Sequence, residues 1–279
     1  MRDFHALAVR YRGGMLLVFA AMMFGLSNIH GSREQLHERS RELVVRLPLV
    51  FQIAMAAGDK YLAANLSGFR ILVSETYRMG PDELQVQAQL QRDVSWLNPA
   101  HEDNYYIAAA ILSVPELMPA AQYILRRAAD ARPDDWQPLF YLGFNKYFFE
   151  KDPIGGAQVL LEAVPRMRDE AESWTMQNLA ARWIERGYSA GDAAQLVGRM
   201  ADNASPGRFK RYLNHRAQRL RDLAALQALT QRYREIHGQP LTDLNQLVAA
   251  GLIERIPPDP FNRGYALDEH GEPVFASRR

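Results

Sequence analysis

Few residues in this chain could do chemistry, and their spacing limits them further. Seven histidines are present: His5, His30, His37, His101, His215, His237 and His270. No two stand four residues apart, the spacing that sets both imidazoles beside one metal on a helix face, and no His-Glu-x-x-His occurs. Cysteine is absent, which removes disulfides, thiolate metal sites and cysteine nucleophiles together. The phosphate loop Gly-x-x-x-x-Gly-Lys and the dinucleotide fingerprint Gly-x-Gly-x-x-Gly are also missing. Gly187-Tyr188-Ser189-Ala190-Gly191 has the Gly-x-Ser-x-Gly spacing of a serine elbow, but it falls in the turn of a helical unit and not after a strand. The acid pairs Glu102-Asp103 and Asp134-Asp135 read as helix starts, where a carboxylate caps free N–H groups and meets the positive end of the dipole. Acid–base work would need a pocket around them, and nothing in the sequence places one. Gly155-Gly156 reads as turn chemistry. Trp96, Trp136, Trp174 and Trp183 read as core packing. Trp136 and the cluster Tyr141, Tyr147, Phe148 and Phe149 are the aromatic residues that could line a groove.

The elements that would carry these residues are helical. A chain of 279 residues can bury a substantial core, and its net charge of +1 gives no global case for a nucleic-acid partner. Leucine and alanine recur at helical spacing over most of the length. Tyr105, Ala108, Ala109 and Leu112 are followed by Ala121, Leu125 and Ala128, with a stop at Pro133. The pattern returns 34 residues on, where Ala108-Ala109 becomes Leu142-Gly143. The second helix of that unit reads as Ala157, Leu161 and Val164, ending at Pro165 after a long turn over 152–156. A looser third unit spans 170–206, with Leu179-Ala180, Trp183, Ala193, Ala194, Leu196 and Met200. These spacings, and the Arg132-Pro133-Asp134-Asp135-Trp136 junction, resemble the tetratricopeptide repeat. That resemblance implies an α-solenoid whose first helices line a concave, partner-binding face. Tyr105, Tyr106, Leu139, Tyr141, Asn145 and Tyr147 are the groove candidates.

Residues 1–12 are net basic, and 13–29 carry no charge. A basic start followed by about 15–17 apolar residues, with no small-x-small cleavage site behind it, reads as an uncleaved membrane anchor over 1–31. Arg2, Arg10 and Arg12 favour a cytoplasmic N-terminus, with the bulk of the chain outside a bacterial-type inner membrane. Region 32–101 opens on a capping box, Ser32 with Gln35. Its apolar stretch 43–57 is interrupted by Arg46, Pro48 and Gln52, which argues for a core helix and against a second span. Residues 60–97 form a helical hairpin, a degenerate leading repeat ahead of the repeats in 102–206.

The region 207–279 begins with one long helix. Arg208, Lys210, Arg211, Arg216, Arg219 and Arg221 make its first half basic, a solvated face or a contact for acidic lipid or an acidic partner. From Gly238 the chain breaks into a short amphipathic helix, a Pro-rich turn and a small β-hairpin of Tyr265-Ala266-Leu267 and Pro273-Val274-Phe275 around Asp268–Gly271. Over about residues 225–275 this tail resembles the C-terminal part of type II secretion pseudopilins. The resemblance implies calcium held by carboxylates near the hairpin, here Asp259 and Asp268; in the competing reading Asp259 shapes the turn through backbone hydrogen bonds. Pseudopilins carry a glutamate early in their apolar helix, and 13–29 contains no acid.

The expectation is therefore an all-α protein: an N-terminal membrane helix, a tetratricopeptide-like solenoid and a small C-terminal β-hairpin segment. It is expected to be non-enzymatic, without cofactor apart from calcium, and to bind protein partners in a membrane-associated envelope assembly serving secretion, pilus assembly or transport. The alternatives are a subunit of a pilus-like filament and a calcium-dependent or enzymatic module in the C-terminal segment.

Overall fold

The computed structural model describes residues 45–74, 76 and 79–276. The expected anchor at 13–29 and the capping box at Ser32 lie outside them. Among the described residues there are eleven α-helices and one two-stranded sheet, as the all-α expectation with a small hairpin requires. None of these helices is long and apolar enough to cross a membrane. The chain divides into two compact units, Met1–Asn98 and Pro99–Arg279.

In the first unit, α1 (Leu49–Met55), α2 (Lys60–Leu72) and α3 (Pro81–Leu97) follow one another through short breaks. Asp59 caps α2 by accepting from the Tyr61 and Leu62 N–H groups at 2.8 and 3.2 Å. Pro81 starts α3, and the Glu83 carboxylate reaches back to the Gly80 N–H at 2.7 Å. Ala63, Ala64 and Ile71 of α2 and Leu90, Val94 and Leu97 of α3 are buried. A polar knot ties the unit together. Asp93, buried on α3, accepts both arms of Arg46 at 2.7 Å and Gln52 Nε2 at 3.0 Å, and Ser67 donates to Gln52 Oε1 at 2.9 Å. Two of the three residues that argue against a second span, Arg46 and Gln52, are thus the partners of one buried carboxylate. The opposite side of α1 and α2 is open: Val50, Phe51, Met55, Leu62, Leu66 and Phe69 are exposed. Trp96 is 52% exposed, unlike the other three tryptophans, which pack at a core.

The second unit stacks three helical hairpins: α4 (Glu102–Ile111) with α5 (Met118–Ala131), α6 (Gln137–Phe148) with α7 (Pro153–Ala163), and α8 (Glu170–Gly187) with α9 (Ala190–Asn203). Each helix packs chiefly on its neighbours in sequence, the logic of a solenoid. Small side chains hold the seams: Ala121, Ala128, Ala157, Ala163, Ala180, Ala193 and Ala194 are buried. The second repeat departs from the expected register. Asp152 accepts the Gly155 N–H at 2.8 Å with Pro153 at the first helical position, so the supposed long turn is already the first turn of α7. Leu160 and Ala163 are fully buried where Leu161 and Val164 were expected, one residue earlier, and Val164–Arg166 forms a 3₁₀ turn. Gly156 is no turn residue. A Cβ placed on it would lie 2.9 Å from the Gly143 carbonyl oxygen, and one on Gly143 would lie 3.0 Å from the Gly156 oxygen.

The helix α10 (Arg208–His237) closes the stack against α9 and ends at Gly238, whose φ of 71° only glycine adopts freely. Its later half supports a second small core, in which Leu226 meets Leu241, Leu244 and Leu247 near α11 (Asn245–Ala249). The strands β1 (Tyr265–Leu267) and β2 (Pro273–Phe275) pair antiparallel, Tyr265 opposite Phe275, in the segments expected from sequence. The hairpin lies along α10: Gln227 donates to the Pro273 carbonyl at 3.1 Å, and Arg234 pairs with Glu272 at 2.7 Å.

Candidate functional site

Two places in the second unit combine exposure with unusual chemistry. The first is on α6. Trp136, Phe140, Phe144 and Phe148 recur at four-residue spacing, so their rings lie on one side of the helix. Centroids are 6.0, 6.4 and 5.5 Å apart along the row, and Phe144 and Phe148 stack within 7° of parallel. Phe149 meets Phe148 edge-on at 5.1 Å. The row rises out of the core: Trp136 and Phe140 are half-buried, while Phe144 is 38% and Phe148 51% exposed. Lys151 stands over the Phe148 ring. Phe140 and Phe144 were not singled out from sequence, although the spacing from Trp136 to Phe148 carries the signal.

The groove candidates divide. Tyr106, Tyr141 and Tyr147 keep part of their surface open, and the Tyr106 and Tyr141 rings meet edge-on at 6.1 Å. Tyr147 stacks on Trp183 at 4.3 Å and accepts a hydrogen bond from Arg186. Tyr105, Leu139 and Asn145 are buried in the seams between helices. Tyr105 donates to Asp135 at 2.8 Å, Tyr106 donates to Gln137, and Ser113 donates to Asn145 Oδ1 at 3.1 Å.

Asp135 organises the junction between the first two hairpins. Its Oδ1 accepts the Gln137 N–H at 3.0 Å, the capping role expected of it, and its Oδ2 takes Arg132 Nε and the Tyr105 hydroxyl, both at 2.8 Å. Burial pushes its carboxyl up, but Arg132, the Gln137 N–H and Tyr105 together outweigh burial and hold it below its ordinary value. Burial, with Tyr106 and Asp135 beside it, raises the Tyr105 phenol far above the usual range.

The carboxylates considered for calcium are committed to backbone. Asp259 is buried and accepts from the Phe261, Arg263 and Gly264 N–H groups at 3.0, 3.0 and 2.9 Å. Asp268 accepts from His270 and Glu272 N–H across the hairpin turn, both at 2.9 Å. Among the described residues no three His, Cys, Asp or Glu side chains come together as a metal site would need.

The second place is a cleft of about 490 Å³ bounded by α8, α10 and the returning tail. Four arginines line it: Arg182, Arg216, Arg219 and Arg263. The sequence reading of the basic half of α10 as a solvated face fails for two of them, because Arg216 and Arg219 turn inward. Arg216 is 8% exposed; it donates to Glu185, to Asn178 at 2.6 Å and to the Tyr212 hydroxyl at 3.0 Å. Burial works against its charge, and Glu185 outweighs burial, so its pKa is raised. Arg219 Nε lies 3.0 Å from Asp259 Oδ1, and its guanidinium covers the Phe275 ring at 3.9 Å. That ion pair is misaligned as a hydrogen bond: the buried Nε and one Nη of Arg219 find no acceptor among the described residues. Arg182 and Arg263 are exposed at the rim, and their guanidiniums pair with nothing among the described residues.

Comparison with protein-family models, with curated proteins and with solved structures gives no match for this chain.

Proposed function

We propose that the protein is a membrane-anchored, tetratricopeptide-like scaffold that holds protein partners in an envelope assembly. The observation that carries this reading is the aromatic row on α6, which leaves Phe144, Phe148 and Phe149 open to solvent on the first helix of a repeat. First helices line the binding face of such stacks, and a partner's helix or extended segment would cover the rings. Each phenylalanine so covered contributes roughly 1–2 kcal/mol of apolar burial. The open apolar side of α1 and α2 supports the membrane part of the reading, because it follows the apolar run 13–29 along the chain and suits a bilayer surface.

The test is a photocrosslinking amino acid placed at Phe148 in the full-length chain, expressed in its native cells. The expected result is one discrete crosslinked protein in the membrane fraction, lost when Phe144→Asp is added and not formed from a probe at exposed Glu172. A chain that crosslinks nothing from positions 144, 148 and 149 would sink the scaffold reading.

A further inference from the structure

We infer that the arginine cleft between α8, α10 and the tail binds a phosphoryl group. Four guanidiniums face it, and two carboxylates, Glu185 and Asp259, oppose them. Two positive charges therefore remain uncompensated, which matches the nearly doubly negative charge of a phosphate monoester near neutral pH. A single carboxylate would leave one of them unmet.

The donors are arranged for recognition. Arg216 is fixed by Glu185, Asn178 and Tyr212, so it shapes the wall without being the free donor. Arg219 is ion-paired with Asp259, yet its buried Nε and one Nη make no aligned hydrogen bond among the described residues, a state costly enough that native structures rarely leave it unanswered. Arg182 and Arg263 stand at the rim with both forks free, and a planar fork engages phosphate oxygens two at a time. The cleft's volume falls within the roughly 300–1,000 Å³ of small-molecule sites and exceeds what a lone phosphate fills. Tyr212, Phe261 and Phe275 supply apolar surface beside the donors for the rest of the ligand. The phosphoryl group could belong to a free metabolite-sized monoester or to a lipid headgroup.

The experiment uses the full-length chain in nonionic detergent at low ionic strength, titrated calorimetrically with phenyl phosphate. In parallel, the chain is floated with vesicles of phosphatidylcholine alone or containing phosphatidic acid. Each is repeated with the double variant Arg182→Ala/Arg263→Ala. Its side chains make no bonds within the described structure, so its melting temperature should match the parent's. Saturable phenyl phosphate binding, weakened at least tenfold in the double variant, establishes the site for a free ligand. A phosphatidic acid-dependent gain in flotation that the double variant loses, without phenyl phosphate binding, establishes it for a headgroup. No response in either arm, or a response that survives the double variant, overturns the inference.

Discussion

Gly143 of α6 and Gly156 of α7 meet backbone to backbone: a Cβ on either would stand 3.0 Å or less from the other's carbonyl oxygen. Helices approach this closely only where neither brings a side chain. A Cβ on Gly156 would also lie 3.1 Å from the Trp183 ring of α8, so the contact sets the spacing of two hairpins at once.

Gly156→Ala should therefore destabilise the second unit by about 1–3 kcal/mol, the usual cost of overpacking. Gly198, inside α9, is the matched control, because a Cβ there meets nothing within 4 Å. Gly198→Ala should stabilise by about 0.5–1 kcal/mol through helix propensity alone. Thermal unfolding of the two variants followed by circular dichroism checks the pair, and equal shifts of the same sign would refute the close approach.

In the first unit the knot around Asp93 sets a second expectation. Asp93→Ala removes the acceptor of Arg46 and Gln52 together, and should cost on the order of 1–3 kcal/mol. Gln52 is left buried without that partner, whereas Arg46 can turn to solvent because its side chain is already 38% exposed. Hydrogen exchange should show the loss over α1 and α2 and leave α6 and α7 protected.

Asp135 gives a pH signature. Its carboxyl lies below the ordinary value of 3.8 in the folded chain. A depressed folded pKa adds stability that is complete above the unfolded value and is lost as pH falls through the folded one. The gap in urea stability between the parent and Asp135→Asn should stay constant from neutral pH to about 4, then shrink as the solution is acidified further. A gap that instead grows on acidification would contradict the hydrogen bonds from Arg132 and Tyr105.

The tail offers a test of its two carboxylates. Asp259 accepts three backbone N–H groups and neutralises Arg219, so Asp259→Ala should lower the stability of the tail by about 2–4 kcal/mol. Chelation should leave the parent's melting temperature unchanged, since both oxygens of Asp259 are taken by backbone N–H groups and, among the described residues, Asp268 has no cluster of further carboxylates beside it to complete a cation site. A drop on chelation, restored by calcium, would return the metal reading to favour.

Where the sequence was informative, the information was local. The β-hairpin was legible residue for residue, because Asp268–Gly271 mark a turn between two short apolar runs. The helix pairs between 102 and 203 were legible from small residues at helical spacing. The register of α7 was misread because Asp152-Pro153 followed by two glycines resembles a loop, although Asp-Pro also starts helices. The arginine cleft was out of reach for another reason. Periodicity shows that Arg216 and Arg219 share a helix; it does not show that Asp259 and Phe275 return to cover them some forty residues later or more. The Arg46–Asp93 pair was hidden in the same way, by 47 residues of separation.

The long helix α10 makes the tail a matter of rotational phase. Thirty residues at 1.5 Å each give a rod of about 45 Å, and the tail grips it at Arg219, Gln227 and Arg234, steps of close to two turns each. The grip survives only while those three point the same way. One residue inserted between Arg216 and Arg219 would turn everything beyond it by about 100°, carrying the tail away from Arg216 and Arg182 and swinging Leu220 out of the core it shares with the third hairpin. Seven inserted residues, nearly two full turns, would bring the tail back to the original heading but about 10 Å farther along. The helix thus fixes the tail's bearing separately from its distance, and only the native length aligns both with the third hairpin.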